Sequence, residues 1–313
     1  MNKTEILLIV PIYPPAQAEI EREFTVHPLW SAPDPEAYLR EKCANVRGAV
    51  TTGLAGISRR QIEALPKLEI IASFGNPRGT VDLAAAKARG VVVTNTPDSI
   101  SKSVADLAMG LLLAVMRRIC EGDRFVRAGK WRERAMSMGS DLDGKTCGIV
   151  GLGRIGREVA KRAEAFGMTV CYHGPHPKDN VVWPFHADME SLARASDCLV
   201  ITCPLTPETR GLVNARILDA LGPGGFLVNV ARGPVVDEQA LIAALKEKRI
   251  AGAGLDVYWD EPRVPAALAG MENVVLAPHM GSSTREVREE RGRKLMANLR
   301  AHFAGKPVLT PVE

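Results

Sequence analysis

Three ionisable side chains stand at or just after predicted strand ends in the second half of the sequence. They are Arg232 in "NVARGPVVDE", Glu261 in "DVYWDEP" and His279 in "LAPHMGSS". Open α/β sheets bind ligands at the carboxyl ends of their strands, so the three groups could converge on one crevice. Each alone has an ordinary explanation, because loop arginines and glutamates are usually solvated and a single histidine is more often structural than catalytic.

Taken together, the three groups have the chemistry that the reduction of a 2-oxo acid requires. That reaction needs a cation for the carboxylate and carbonyl oxygen, a proton donor for the developing alkoxide, and a partner that keeps the donor protonated. Arg232, His279 and Glu261 supply these in that order. A carboxylate beside His279 favours the imidazolium form, which can donate a proton near neutrality.

A glycine-rich stretch, "TCGIVGLGRIGREVAKRAEAFG", places Gly151, Gly153 and Gly156 between a predicted strand and a predicted helix. In such a loop the first glycine allows a tight turn, the second lets a pyrophosphate approach the backbone, and the third lets helix and strand pack closely. A bare G-x-G-x-x-G can be a merely structural turn. Here the strand, the helix and the βαβ context are all present, which predicts a dinucleotide site.

The segment "VCYHGPHPK" (170–178) lacks the acid that usually holds the adenosine ribose about twenty residues after such a loop. Because a 2′-phosphate would meet no charge repulsion there, we predict NADP as the preferred cofactor and NAD as the second choice. Arg154, Lys178, His173 and His176 could assist. The alternative is that a backbone group or water holds the ribose and both cofactors bind. The histidine pair lacks further ligands nearby, so no metal site is predicted.

Strand-like runs alternate with helical patterns along the whole chain, which indicates an α/β fold with parallel sheets. Two candidate breaks, "NTPDSISKS" and "GSSTREVREE", divide the pattern. We predict one domain of residues 1–98 plus 285–313, with a second domain of residues 99–284 inserted in it. The predicted strands are "EILLIV", "GAVTT", "LEIIASF", "VVVTN", "CGIV", "MTVCY", "CLVIT", "GFLVNV", "AGAGLDV" and "NVVLAP".

Composition indicates small-molecule chemistry. The 313 residues carry a net charge of only +4, so no strong field favours nucleic acid or membrane as a partner. Six cysteines without a CxxC pair suit reduced core thiols and a cytoplasmic location. The apolar stretch "LAMGLLLAVM" is too short to span a bilayer and is predicted to be a buried helix. Acids interrupt the basic stretch "RRICEGDRFVRAGKWRER", which predicts a solvated or dimer-facing helix rather than a nucleic-acid site.

The chain resembles the D-2-hydroxyacid dehydrogenase family, close to its glyoxylate/hydroxypyruvate reductases. The stretches that carry the resemblance are "TNTPDSISKSVADLAMGLLLAVMRR", "VGLGRIG", "NVARGPVVDE", "GLDVYWDEP" and "LAPHMGSS", in family order. The resemblance implies a nucleotide domain inserted in a flavodoxin-like substrate domain, an active site in the cleft between them, and a homodimer. It also implies Arg232 as substrate anchor, Glu261 as partner of His279, His279 as acid/base, and Asp256 near the nicotinamide amide.

The stretch "ASFGNPRGTVD" departs from the family, which usually has a "GVG" turn whose N–H groups bind the substrate carboxylate. Pro77 has no N–H to donate. We predict that Asn76 and Arg78 compensate, while a surface arginine in a remodelled turn remains the alternative. The predicted substrate residues are Leu54, Gly75, Asn76, Arg78, Arg232 and His279. The predicted cofactor residues are Gly151, Gly153, Arg154, Ile155, Gly156, His173, Lys178, Cys203, Pro204, Thr209, Val230, Ala231, Asp256 and Gly281.

These observations predict an NAD(P)H-dependent reductase that converts a small 2-oxo acid, glyoxylate or hydroxypyruvate first, to the D-2-hydroxy acid. Two alternatives remain. One is a dinucleotide-sensing interaction protein that keeps the fold but has weak catalysis. The other is a reductase for a bulkier 2-oxo acid, since pocket shape decides substrate size.

Overall fold

A computed structural model describes residues 3–77, 79–97 and 100–312. The predicted substrate residue Arg78 and the predicted domain boundary at 98–99 lie outside these residues. Packing divides the chain into two compact units. Unit 1 is Met1–Ser99 with Ser283–Glu313, and unit 2 is Ile100–Ser282.

Unit 1 is built on a parallel sheet in the order β2-β1-β3-β4-β5. Helices follow each strand and cover both faces, as parallel sheets require. The elements are β1 (Glu5–Leu8), α1 (Pro14–Glu23), β2 (Thr25–Pro28), α2 (Pro35–Lys42), β3 (Gly48–Thr52), α3 (Arg59–Glu63), β4 (Ile70–Phe74), α4 (Leu83–Ala88), β5 (Val92–Thr94) and, from the C-terminal segment, α12 (Arg285–Phe303).

Unit 2 is built on a parallel sheet in the order β12-β11-β10-β9-β6-β7-β8. Its elements are α5 (Ser101–Met116), α6 (Ile119–Arg127), β6 (Thr146–Val150), α7 (Arg154–Ala165), β7 (Thr169–His173), β8 (Phe185–His186), α8 (Met189–Arg194), β9 (Cys198–Ile201), α9 (Ala215–Leu221), β10 (Phe226–Asn229), α10 (Glu238–Lys246), β11 (Gly252–Leu255), α11 (Ala266–Ala269) and β12 (Val274–Leu276).

Apolar burial on both faces of each sheet stabilises the two units. In unit 2 the cluster of Leu112, Val159 and Val228 lies on the α5/α7 face, and the cluster of Leu218, Leu227 and Leu245 lies on the α9/α10 face. Each large apolar side chain buried in this way contributes roughly 1.5–3 kcal/mol. The α/β class with parallel sheets is therefore confirmed, and the stretch "LAMGLLLAVM" lies in the buried helix α5.

The basic stretch 117–134 does not form the single helix that was predicted. Helix α6 covers only Ile119–Arg127, and a short 3₁₀ turn follows at Lys130–Arg132. Arg118 and Gly129 interrupt the stretch because both have left-handed backbones, with φ of 55° and 72°. The chain therefore bends at both points.

Two strands were not predicted. Strands β2 (Thr25–Pro28) and β8 (Phe185–His186) lie at the edges of their sheets and are only partly buried. Both are short and only partly buried, so the apolar pattern that predicted the other ten strands, with β5 and β12 at the opposite edges among them, is missing from them.

Candidate active site

The glycine loop has the backbone geometry that its spacing predicts. Gly151 has φ of 95°, and a Cβ there would lie 2.7 Å from the Cα of Cys203. A Cβ on Gly156 would collide with the carbonyl oxygen of Gly151, so this glycine allows α7 to pack closely on β6. Gly153 differs, because a Cβ there would meet no atom within 4 Å. That open space at the turn is where a phosphate can approach the backbone.

The N-terminus of α7 also fits an anion. Gly153 is its N-cap and supplies no side-chain hydrogen bond. The helices α8, α9 and α10 of the same unit are instead capped by the side chains of Asp188, Asn214 and Asp237. An uncapped helix N-terminus presents N–H groups and the positive end of the helix dipole to a ligand. Ile155, also predicted to contact the cofactor, lies in the first turn of α7 and is partly buried against the core.

A cavity of about 610 Å³ opens in front of this loop. It is large enough for a nucleotide, since ligand pockets typically measure about 300–1,000 Å³. The predicted residues Gly151, Gly153, His173, Lys178, Cys203, Pro204 and Thr209 line it, together with Val150, Leu152, Tyr172, Gly174, Pro175, His176, Thr202, Thr206, Glu208 and Leu212. The loops after β6, β7 and β9 thus form one cavity, whose residues fit a dinucleotide.

The loop after β7 is anchored by a residue that was not predicted. The hydroxyl of Tyr172, which is buried, accepts a hydrogen bond of 2.7 Å from the backbone N–H of Lys178. The Nζ atom of Lys178 lies 3.4 Å from Nε2 of His176. His173 contacts a neighbouring strand instead: its Nδ1 lies 2.9 Å from the carbonyl oxygen of His186 on β8. Basic groups therefore line this side of the cavity.

The loop after β9 forms the opposite wall. The hydroxyl of Thr202 donates to the carbonyl oxygen of Gly151 at 2.7 Å, and that of Thr209 donates to Pro204 at 2.7 Å. Burial raises the pKa of the Cys203 thiol to about 11. Glu208, an acid that was not predicted, also lines the cavity, and a hydrogen bond from Thr206 lowers the pKa of its carboxyl.

The three candidate catalytic residues follow three neighbouring strands. Arg232 follows β10, Glu261 follows β11 and His279 follows β12, and these strands are adjacent in the sheet. The Nδ1 atom of His279 lies 2.6 Å from Oε2 of Glu261. The other oxygen, Oε1, accepts a hydrogen bond of 3.0 Å from the backbone N–H of Tyr258. Both carboxylate oxygens of Glu261 are thus engaged, which leaves Nε2 of His279 as the ring atom that can donate to a substrate.

Arg232 is held by its backbone while its side chain is exposed. The amide of the buried Asn229 donates to the carbonyl oxygen of Arg232 at 3.1 Å and accepts from the N–H of Ala231 at 3.0 Å. A Cβ on Gly233 would collide with the backbone of Tyr258, so the loops after β10 and β11 are in contact. Asn229 was not predicted, although the sequence shows it as a polar residue at the end of the apolar strand "FLVN". The predicted Val230 and Ala231 are buried in the same turn.

Asp256 fixes the backbone around His279. Its carboxylate accepts hydrogen bonds from Met280 N–H at 2.7 Å and from Gly281 N–H at 2.9 Å, and its carbonyl oxygen accepts from His279 N–H at 2.9 Å. Burial raises the pKa of Asp256 although those two hydrogen bonds oppose the shift. His279 itself has φ of 51°, a backbone conformation that non-glycine residues adopt only where their surroundings enforce it.

The predicted substrate residues of unit 1 lie in the loops after β3 and β4. Leu54 is 89% exposed in the turn after β3. Gly75 and Asn76 directly follow β4, and Gly75 has φ of 133°. A Cβ on Gly53 would lie 2.8 Å from the carbonyl oxygen of Asn76, so the two loops are in contact. The N–H of Gly75 is already bonded to Ser73 O at 3.0 Å.

Within residues 3–77, 79–97 and 100–312, no group of three or more His, Cys, Asp or Glu side chains could hold a metal ion. None of the helices described in these ranges has the length and apolar character that crossing a membrane requires.

The chain is similar to known proteins over its whole length. A family model described as "D-isomer specific 2-hydroxyacid dehydrogenase, NAD binding domain" matches residues 109–281. The hydroxyphenylpyruvate reductase of Plectranthus scutellarioides is 46% identical, and glyoxylate/hydroxypyruvate reductase A of Arabidopsis thaliana is 44% identical, with 100% of each chain covered. A similar solved structure is the crystal structure of the NADPH-dependent glyoxylate/hydroxypyruvate reductase of Sinorhizobium meliloti in complex with NADP and malonate. Its sequence is 38% identical, its TM-score is 0.86, and the match covers 99% of this chain and 97% of that one.

The chain therefore belongs to the D-isomer specific 2-hydroxyacid dehydrogenases. It is an oxidoreductase by family, and unit 2 contains the matched part of the NAD-binding domain.

Proposed function

We propose that this protein reduces a small 2-oxo acid to the D-2-hydroxy acid with NADPH, and that glyoxylate and hydroxypyruvate are its substrates. The observation that carries the proposal is the contact of 2.6 Å between His279 Nδ1 and Glu261 Oε2 at the carboxyl end of the sheet, with Arg232 on the adjacent loop. A proton-donating imidazole and a guanidinium together suit the alkoxide that forms when a carbonyl is reduced.

Each residue has a separate role in this reaction. NADPH, when bound, supplies the hydride. The guanidinium of Arg232 binds the substrate carboxylate and orients the carbonyl, because its planar fork matches a carboxylate. His279 delivers a proton from Nε2 to the carbonyl oxygen, and Glu261 stabilises the imidazolium before that transfer. Asp256 lies near the nicotinamide amide, and Asn76 and Arg78 bind the substrate carboxylate in place of the missing N–H of Pro77.

NADPH is the proposed cofactor because of the charges that line the cavity. Lys178 and His176 lie side by side in the loop after β7, and residues 173–178 include no acid that could accept a hydrogen bond from the ribose hydroxyls. Arg154 is the third basic residue near the glycine loop. The Sinorhizobium meliloti relative is NADPH-dependent, which supports the same preference here. Glu208 on the opposite wall limits this preference, since its charge repels a phosphate that comes near it.

We also propose a division into two domains, an oligomeric state and a cellular location. Residues 1–98 with 285–313 form the substrate domain, and residues 99–284 form the dinucleotide domain. The protein is a homodimer of the cytoplasm whose partners are a 2-oxo or 2-hydroxy acid and the cofactor, with neither nucleic acid nor membrane involved. Elution of a dimer in size-exclusion chromatography with light scattering is the expected result, and a monomer would contradict this assignment.

Initial rates of the wild-type protein test the proposed function. Glyoxylate and hydroxypyruvate are each supplied with NADPH and then NADH at matched concentrations, and oxidation of the cofactor is followed at 340 nm (about the absorption maximum of the reduced nicotinamide). We expect turnover with both acids and faster rates with NADPH. Equal rates with the two cofactors would remove the NADPH preference.

A second candidate function, the reduction of a bulkier 2-oxo acid, is supported by one of the comparisons. The relative with 46% identity is a hydroxyphenylpyruvate reductase, which favours a bulkier 2-oxo acid as substrate. Turnover of 4-hydroxyphenylpyruvate without turnover of glyoxylate would select that candidate. Cofactor binding with no turnover of any 2-oxo acid would instead select the dinucleotide-sensing protein.

A further inference from the structure

Arg291 is a charged residue on the buried side of a helix. It lies on α12 in unit 1, and the residues four before, four after and seven after it, Val287, Leu295 and Asn298, are all buried. Side chains at this spacing share one helix face, so Arg291 points toward the sheet. Its guanidinium carbon lies 6.0 Å from the centre of the Phe74 ring.

The guanidinium has no anionic partner in the described part of the chain. No carboxylate there lies within 4 Å of it, unlike Arg300 on the same helix, which pairs with Glu19 and Glu23. Its Nε is buried and makes no hydrogen bond to a described residue. Burial and the neighbouring charge of Arg288 lower the pKa of Arg291. Arg291 is partly buried, and burying a charge without a counter-ion destabilises a fold, so an anion that binds here would relieve an existing penalty.

The position of Arg291 near the ends of β4 and β5 suggests which kind of anion it binds. Phe74, which it contacts, is the last residue of β4 and directly precedes the Gly75–Asn76 loop. The neighbouring strand β5 is followed by Thr96, which is 4% exposed and whose hydroxyl has no hydrogen-bond partner among the described residues. Arg291 thus packs on the last residue of β4, and Thr96 lies just beyond the end of the adjacent strand β5, at the edge where open α/β sheets bind ligands.

We propose that Arg291 binds the distal carboxylate of a dicarboxylic 2-oxo acid. The proposal rests on the proposed function, since Asn76 in the loop after β4 contacts the carboxylate next to the oxo group and Arg291 contacts the carboxylate at the far end of the substrate. A fork of N–H donors and a carboxylate form a strong bidentate pair. Thr96 contributes a hydroxyl donor to the same carboxylate. Arg291 is therefore a specificity-determining residue for acidic substrates.

Matched pairs of 2-oxo acids test this assignment. The first pair is 2-oxoglutarate and 2-oxopentanoate, and the second is oxaloacetate and 2-oxobutanoate. The members of each pair have equal chain lengths and differ in the distal carboxylate. The kcat/KM for each acid is measured with NADPH for the wild type, Arg291→Met and Arg291→Lys. Arg293→Met is the control, because Arg293 is exposed and lies two positions along the same helix.

We expect the wild type to prefer the dicarboxylic member of each pair. Arg291→Met lowers kcat/KM for that member by roughly ten- to a hundredfold, as the loss of a charged hydrogen bond predicts, and mainly through KM. The methyl-ended member and glyoxylate change by less than about threefold, since they never reach Arg291. Arg291→Lys keeps part of the preference for the dicarboxylic acids, and Arg293→Met keeps all of that preference.

Two results would overturn the assignment. In the first, the wild type shows no preference for the dicarboxylic acids. In the second, Arg291→Met affects both members of each pair equally, which would mean that Arg291 only packs on Phe74. Should Arg291→Met fail to fold, as judged by urea unfolding, Arg291→Gln takes its place.

Calorimetric titration of 2-oxoglutarate into the protein with NADP⁺ provides a readout that does not depend on turnover. Weaker binding to Arg291→Met than to the wild type supports the subsite. If no 2-oxo acid is turned over at all, the proposed function fails, and this titration alone then decides whether Arg291 binds the carboxylate. Equal binding to both proteins rejects the subsite.

Discussion

The Nδ1 atom of His279 lies 2.6 Å from Oε2 of Glu261, and the second oxygen of that carboxylate accepts the N–H of Tyr258. This arrangement fixes the imidazole with Nε2 directed away from Glu261. It also places a negative charge where it favours the imidazolium form. We therefore propose that Glu261 is a positioning residue for His279.

Replacing Glu261 by Gln tests that role. The amide keeps the shape of the side chain but removes its charge, so the imidazolium loses stabilisation. We expect kcat for glyoxylate to fall by roughly 10²-fold, at the lower end of what general acid catalysis contributes. An unchanged kcat would show that the contact is only structural.

Two glycines of the same loop should respond differently to alanine. In Gly153→Ala the methyl enters open space, so stability stays within about 0.5 kcal/mol while NADPH binding weakens by at least about tenfold. In Gly156→Ala the methyl collides with Gly151, so the free energy of unfolding falls by about 1–3 kcal/mol.

Urea unfolding and calorimetric titration of NADPH separate these two effects. Gly224→Ala is the matched control, since a Cβ there also meets no atom within 4 Å and Gly224 is not among the residues that line the cavity. Tight NADPH binding by Gly153→Ala would show that the pyrophosphate does not approach this turn.

The charges of the cavity predict how cofactor choice changes. Lys178→Ala should raise KM for NADPH by roughly tenfold, the effect of one charged hydrogen bond, and leave KM for NADH nearly unchanged. Glu208→Gln should act in the opposite direction, because it removes a negative charge from the opposite wall. Lys246→Ala, on α10 and outside the cavity lining, serves as control. Equal changes for NADPH and NADH in Lys178→Ala would contradict the assignment.

The raised pKa of Cys203 predicts slow alkylation. With a pKa of about 11, the thiolate fraction at pH 8 is about a hundredfold smaller than at the ordinary value of 9.0. Because burial raises this pKa, the rate of reaction with iodoacetamide should increase about tenfold per pH unit between about pH 8 and 10. NADP⁺ should slow the reaction further, since Cys203 lines the cavity.

Peptide mapping by mass spectrometry measures this reaction at Cys203 and at Cys120 together. Cys120 is partly exposed and lies outside the cavity lining, so it reports any general effect of the cofactor. Protection of both cysteines by NADP⁺, or of neither, would count against a cofactor at this cavity.

The sequence predicted the features that depend on residue type and spacing. The glycine loop, ten of the strands and the buried helix α5 all follow from local patterns, and the structure contains them. The structure also joins Glu261 to His279, which the sequence suggested through the ends of neighbouring strands.

Other features depend on contacts that a sequence does not show. Tyr172 anchors the loop after β7 through its hydroxyl, although its place in an apolar strand indicated only a core residue. His173 was predicted to assist a phosphate, but its Nδ1 is engaged by β8, a strand of two residues without a pattern of its own. The position of Arg291, which packs on Phe74 and has no anionic partner among the described residues, likewise depends on how α12 lies against β4.

A comparison of the wild type with His279→Ala tests whether His279 delivers the proton to the substrate. Single-turnover oxidation of bound NADPH is followed after mixing with saturating glyoxylate, and the Kd for NADPH is measured separately. We expect the rate of His279→Ala to be lower by about 10²–10⁴-fold with the Kd for NADPH unchanged, because His279 acts only in the transition state. Single-turnover oxidation at the wild-type rate by His279→Ala would show that another group delivers the proton.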